Sequence, residues 1–276
     1  MRAWSWTMAL LALAPGCTAY TDETSDDVME AEVALVQGNM LTANSLALNG
    51  IALNGIALNG IALNTMDPKS LAAIQDPGSN GTLARAFLKY AIGCAFSTSQ
   101  SFSFTWTDAS NGVHQETYVG ELGVAPGWAT GPLNSQGQYM VTACLAARVN
   151  YYAMPVIISI RSLTEPLKTL SGSQELVMYP DVEGAFWGNL WAPTPFIHAC
   201  YNDATVANSR AWKRECATGH LNTDGTIAEC GMIDIVGPCS SVCQTLNGAG
   251  QYYPSCIKDP GRDNTTTKFV ATTGLP

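Results

Sequence analysis

Basic residues are scarce: 13 Lys and Arg stand against 22 Asp and Glu, and only 13% of the 276 residues are charged. They form no cluster and no aromatic–basic stripe, so nothing is arranged to neutralise a phosphate backbone, and nucleic acid is not an expected partner. The chain also lacks a G-x-S-x-G elbow, an H-E-x-x-H helix and a P-loop, which removes the familiar nucleophile, zinc-hydrolase and nucleotide sites. It has no C-x-x-C pair, and only three histidines, His114, His198 and His220. What it has instead is 47% apolar content. That is enough for a sizeable core, in one large domain or two small ones.

Charge is unevenly spread. Asp22, Glu23, Asp26, Asp27, Glu30 and Glu32 fall in one stretch free of Lys and Arg. Ahead of it, Arg2 precedes the apolar segment "AWSWTMALLALA", then small residues and Cys17. This is the order of an export signal, and the apolar run is too short to span a bilayer. The ending "LAPGC" resembles a bacterial lipobox, although Leu13 stands one place further from the cysteine than the usual leucine. The resemblance implies that Cys17 is acylated and becomes the mature N-terminus. The alternative is an ordinary cleaved signal peptide, with Cys17 removed. Thr18, in place of an aspartate after the acylated cysteine, favours the outer membrane over inner-membrane retention. The acidic stretch buries too little apolar surface to offset its ordering entropy and reads as a solvated tether.

A repeat follows. Asn recurs at 39, 44, 49, 54, 59 and 64, and two places after each stands Leu41, Leu46, Ile51, Ile56, Ile61 or Met66. A period of five smears an apolar stripe around a helix and flips it from face to face along a strand. Regular Asn side chains also oppose a membrane span. Short extended sides with Asn-Gly corners fit the period, and the run resembles pentapeptide-repeat solenoids. Six pentads make only about one and a half coils, and stacked repeats need neighbours to bury their edges. A spacer is the favoured reading; a partial coil capped by the following domain and self-association are the others.

Beyond "TMDPKS" the composition turns globular. "TLARAFLKYAIGC" has helical spacing, with Leu83, Phe87, Tyr90 and Cys94 on one face and Arg85 and Lys89 on the other. "SFSFTWT" alternates, placing Phe102, Phe104 and Trp106 on one side of a strand. "VHQETYV" returns as its partner after the Asn111-Gly112 turn. A second helix, "SQGQYMVTACLAARVNYY", leads to the strand "MPVIISIRS". The expected class is α+β: two helices against an antiparallel sheet, then a disulfide-rich, mostly β C-terminal part, after a disordered or partly coiled stalk.

Setting Cys17 aside, eight cysteines remain: Cys94, Cys144, Cys200, Cys216, Cys230, Cys239, Cys243 and Cys256. An even number in an exported chain implies disulfides. Cys94 and Cys144 lie on apolar helix faces and would staple the two helices. Cys200 and Cys216 would close a short loop, leaving four in the tail to pair among themselves. A zinc site built from Cys230, Cys239, Cys243 and Cys256, with His220 as a further ligand, is the rival, against the tighter paired spacing usual in such sites. No cofactor and no metal are called for.

Catalytic arrangements are weak. Asp181 and Glu183 in "YPDVEGAFWGN" offer a carboxylate pair for glycoside chemistry, and loop charges are the plainer reading. His114 falls near a hairpin turn, and His198 in "PFIHAC" sits beside a cysteine as a satisfied core residue. "DPGRDN", Asp259 to Asn264, is short of calcium ligands and reads as a turn. The most suggestive patch is aromatic: Tyr179, Phe186, Trp187 and Trp191 would stack on a sugar or anchor a protein partner, or else fill the core.

The segments "YAIGCAF", "ACLAARVN", "VIISIRS" and "EGAFWGNLWAP", with the Asn-rich pentads and the Cys-rich tail, resemble uncharacterised secreted lipoproteins of the myxobacterial type. That resemblance implies an exported, disulfide-bonded envelope protein and carries no activity. The expected organisation is a signal peptide over 1–17, an acidic tether over 18–36, and pentapeptide repeats over 37–66. An α+β domain over 67–170 follows, with a Cys-rich β part over 171–276 packed on it. The expected function is a lipid-anchored binding or structural module for a polysaccharide or protein partner. The alternative is a secreted hydrolase.

Overall fold

The computed structural model describes residues 36–38, 61, 66–249 and 251–276. Cys17, the tether up to residue 35 and most of the pentads lie outside the described residues. In chain order the elements begin with a short strand, β1 (Val36–Gly38), and two helices, α1 (Pro68–Gln75) and α2 (Ser79–Ala95). A hairpin of β2 (Ser101–Thr107) and β3 (Val113–Val119) follows, then α3 (Ser135–Ala147) and β4 (Ile157–Arg161). Next come α4 (Gln174–Met178), β5 (Asp181–Asn189), β6 (Phe196–Tyr201) and α5 (Val206–Ala211). The rest comprises β7 (His220–Leu221), β8 (Ile227–Ala228), β9 (Asp234–Pro238), α6 (Cys239–Val242), β10 (Cys256–Asp259), β11 (Asp263–Thr267) and β12 (Ala271–Leu275).

Local chemistry explains the helix starts. The Asp67 carboxylate accepts from the Lys69 and Ser70 amides, with Pro68 at the first helical position where a missing N–H costs nothing. Asn134 caps α3 by accepting from Gly137 N at 2.8 Å. Lys89 is exposed as its spacing suggests, but Arg85 is not. Its guanidinium donates to Ile74 O at 2.9 Å and Asp76 O at 2.8 Å and lies 3.7 Å over the Trp106 ring. A cation there satisfies the orphan carbonyls at the end of α1, which draws Arg85 into the interface.

The hairpin keeps the register that its alternation implies. Phe102 opposes Tyr118 and Trp106 opposes His114, with Phe102, Phe104 and Tyr118 buried against the helices. A disulfide between Cys94 and Cys144 joins α2 to α3. Ile61 and Met66, the apolar positions of the last two pentads, are buried in the same core, and Ile61 N donates to Trp128 O at 3.1 Å. These two side chains are held by the domain, and the rest of the repeat, with the spacer expectation, lies outside the described residues. β1 extends the sheet edge by pairing with β4.

The principal sheet has six strands in the order β1-β4-β12-β5-β6-β9. Every pair is antiparallel except β6–β9 in the C-terminal part, which is parallel, so the sheet is mixed. The C-terminal strand β12 inserts between β4 and β5. The expected division at residue 170 therefore cuts through one sheet.

The helices cover one face, with α3 lying over β5, β12 and β6. The other face carries Val182, Trp187 and Cys200, covered by Cys239, Tyr253, Cys256 and Val270 from the disulfide-bonded C-terminal segment. β5 is buried on both sides from Val182 to Asn189, so its sequence shows no apolar–polar alternation. Gly184 is required there: a Cβ would stand 2.1 Å from Cys200 O on the neighbouring strand.

Candidate functional site

The structure first sorts the residues that the sequence put forward. Tyr179, Phe186, Trp187 and Trp191 are all buried, at 5%, 0%, 0% and 9% exposure. They are core residues and present no partner surface. Trp191 meets Trp128 edge-to-face with centroids 5.9 Å apart, and Trp187 Nε1 donates to Lys258 O at 3.2 Å. Of the two readings of these aromatics, a partner surface or core, the structure shows core. A strand buried on both faces and the turns at its two ends need the same composition.

Glu183 is fully buried, with Oε2 engaged and Oε1 left without a hydrogen-bond partner. Its Oε2 accepts from Arg214 Nη2 at 2.8 Å, Arg214 Nε at 3.2 Å and Thr273 Oγ1 at 2.7 Å. The same guanidinium donates to Ala147 O and Val149 O at the end of α3. Asp181, two residues earlier, is held by the Asn208 side-chain amide. The two carboxylates are thus separately engaged and do not flank an open substrate site. A second buried cluster centres on Arg161, which donates to Ser159 Oγ at 2.7 Å, Gln251 Oε1 at 2.9 Å and the Tyr179 carbonyl. Burial pulls its guanidinium down to about 10, opposed by the nearby Glu175.

The histidines are likewise paired. His114 hydrogen-bonds to Asp108 at 2.8 Å and stacks on Trp106, and this pairing holds the Asp108 carboxyl below its usual range. His198 is buried with Nδ1 3.1 Å from Asp234 and Nε2 3.1 Å from Asp259. His220 places Nδ1 against Glu215 and stacks on Tyr151, and the Tyr152 hydroxyl reaches both His220 and Glu215. Burial first, and Glu215 second, push the Tyr152 phenol up.

The eight cysteines form four bonds: Cys94–Cys144, Cys200–Cys239, Cys216–Cys230 and Cys243–Cys256. The expected Cys200–Cys216 pair is not made. β6 and β9 lie side by side, so Cys200 at the end of one meets Cys239 just past the other. The zinc reading of Cys230, Cys239, Cys243, Cys256 and His220 loses its ligands, because all four sulfurs are in disulfides. Cys200, Cys239 and Cys243 do gather their sulfurs within 4.8 Å, as two adjacent bonds. In the "DPGRDN" turn, Asp259 is taken by His198 and Asp263 by Lys258 at 2.9 Å.

What sequence reasoning missed is a cleft of about 560 Å³ at the carboxyl ends of the parallel pair β6–β9. Crevices outside the carboxyl ends of parallel strands are common ligand positions. The connection from β6 to β9 supplies its walls: Val206 and Arg210 from α5, Thr218, and Ile227 with Glu229 from β8 and its exit. Tyr201, Ile235 and Gly237 complete it from the sheet. Gly219 has φ +74°, and a Cβ there would lie 2.2 Å from Ile227 Cγ2, so only glycine lets this wall close up.

Two disulfides brace the cleft. Tyr201 adjoins Cys200, Gly237 precedes Cys239 by two residues, Thr218 follows Cys216 by two, and Glu229 adjoins Cys230. Among the described residues, neither Arg210 nor Glu229 forms an ion pair, and Arg210 Nε is buried without a hydrogen-bond partner.

No family model, curated protein or solved structure matches this chain. It is a mixed α+β domain with helices packed on sheets, tied by four disulfides. Such bonds fit an oxidising, extracytoplasmic location. Among the described residues no helix is long and apolar enough to cross a membrane.

Proposed function

We propose that the protein is an exported envelope lipoprotein, acylated at Cys17, that presents a ligand-binding domain at the outer membrane or cell surface. The charged start, the short apolar segment and the lipobox-like "LAPGC" support the anchor. The resemblance to secreted lipoproteins of the myxobacterial type agrees with it. Binding is preferred to catalysis on one observation: the cleft leaves a cation and an anion unpaired, whereas Glu183 is sealed from solvent against Arg214 and His198 is held between Asp234 and Asp259. A hydrolase using Asp181 or Glu183 gains no support, since Asp181 is engaged by Asn208 and Glu183 has no exposed surface. The polysaccharide or protein partner is then met at the cleft and not at the buried tryptophans.

The test is the intact mass of the protein from its native envelope, with and without reduction. A lipid-modified chain beginning at Cys17, gaining two hydrogens for each of the four bonds, is expected. An unmodified chain with free thiols would sink the envelope reading.

A further inference from the structure

We infer that the cleft between α5, β8 and the ends of β6 and β9 binds a short zwitterionic peptide with an apolar side chain. The inference rests on this cleft being the domain's ligand site and is independent of the Cys17 anchor.

Its first support is a cation without a partner. Arg210 lines the cleft and forms no ion pair and no side-chain hydrogen bond among the described residues. A guanidinium of this kind recognises a carboxylate by paired N–H bonds. Its second support is the opposite charge in the same cleft: Glu229 lines it and pairs with no cation among the described residues. A cation and an anion facing one space without meeting suit a ligand that carries both charges. Its third support is apolar surface. Val206, Ile227 and Ile235 line the space around the charges, and half of Ile227 is exposed. An aliphatic side chain would cover it.

The volume of about 560 Å³ falls within the range of about 300–1,000 Å³ common for small-ligand sites and exceeds what one amino acid fills. The two disulfides tether the segments that form the walls before the ligand arrives, which limits the ordering cost of binding.

Calorimetry on the purified, oxidised full chain tests this with trileucine, free leucine, N-acetyl-trileucine and trileucine amide. Trileucine should bind, and blocking either terminus should weaken it at least tenfold. Arg210→Gln should erase the preference for a free carboxylate, and Glu229→Gln the preference for a free amine, with thermal unfolding unchanged. Glu229 is exposed, so its variant keeps the test open if Arg210→Gln fails to fold. Equal binding of leucine and trileucine would support the zwitterion while overturning the peptide. No binding by any probe at millimolar concentration, or equal affinity for blocked and free peptides, would overturn the inference altogether. Neither result touches the mass measurement, which judges the anchor alone.

Discussion

Glu183 and Arg214 show how much one buried pair is asked to hold. Arg214 sits where the carbonyls at the end of α3 lack helical partners, and it bridges them to Glu183 on β5, which Thr273 of β12 also engages. Removing one partner from a buried ion pair typically costs about 3–5 kcal/mol, because the other charge stays desolvated. Glu183→Gln should therefore lower stability by about that much in urea unfolding; a loss below about 1 kcal/mol would mean that Thr273 and the carbonyls suffice. Trp187→Ala should cost a similar amount, about 3–5 kcal/mol, through the cavity it leaves. That loss would appear as unfolding, whereas a surface anchor would lose binding with stability intact. Glu183 read as a loop charge because its partner is 31 residues away, and no local pattern announces such a pair. Arg210 was invisible for the same reason: an unpaired donor is known only once its surroundings are folded.

At the scale of elements, local rules served best where the chain makes its own contacts. The β2–β3 hairpin follows directly from alternation and Asn111-Gly112, with Asn111 at φ 64°. Cys94 and Cys144 occupy facing sides of α2 and α3, and their bond closes a separation of 50 residues. Replacing both by Ser should cost about 2–4 kcal/mol, read as a lower denaturant midpoint with the helical circular dichroism retained.

The β10–β11 hairpin makes a pH prediction. Its Asp263 carboxyl is held down to about 2, mainly by the Thr265 hydroxyl and then by Lys258. A depressed folded value means that the contribution is present above the unfolded value of about 3.9 and is lost as pH falls towards 2. Protection factors against hydrogen exchange in 256–267, corrected for the intrinsic rate at each pH, should fall between pH 4 and 2 ahead of those in α2 and α3. A uniform fall across all three would refute a local effect. The parallel β6–β9 pair was not legible, since the segment between them is irregular, with short strands and a one-turn-and-a-half helix that no periodicity marks.

For the whole molecule, alkaline conditions should be the more damaging. Burial raises the phenols of Tyr118, Tyr179 and Tyr253. Raised folded values give stability that is complete below about pH 10 and lost as pH climbs beyond it. Absorbance at 295 nm should show the exposed tyrosines ionising first and these three only as far-UV dichroism collapses. Simultaneous titration of all ten tyrosines with the fold intact would contradict their burial.

Residue order alone was enough for α2, α3, the hairpin, the number of cysteines available for bonding and the α+β class, because each depends on composition or on spacing within about twenty residues. Long-range packing was needed to place β12 between β4 and β5, to join Cys200 to Cys239, to turn the tryptophans inward, and to bring Arg210 and Glu229 into one cleft. Each of those depends on which distant segments lie adjacent, and burial or pairing is a property of neighbours that a single stretch of chain does not contain.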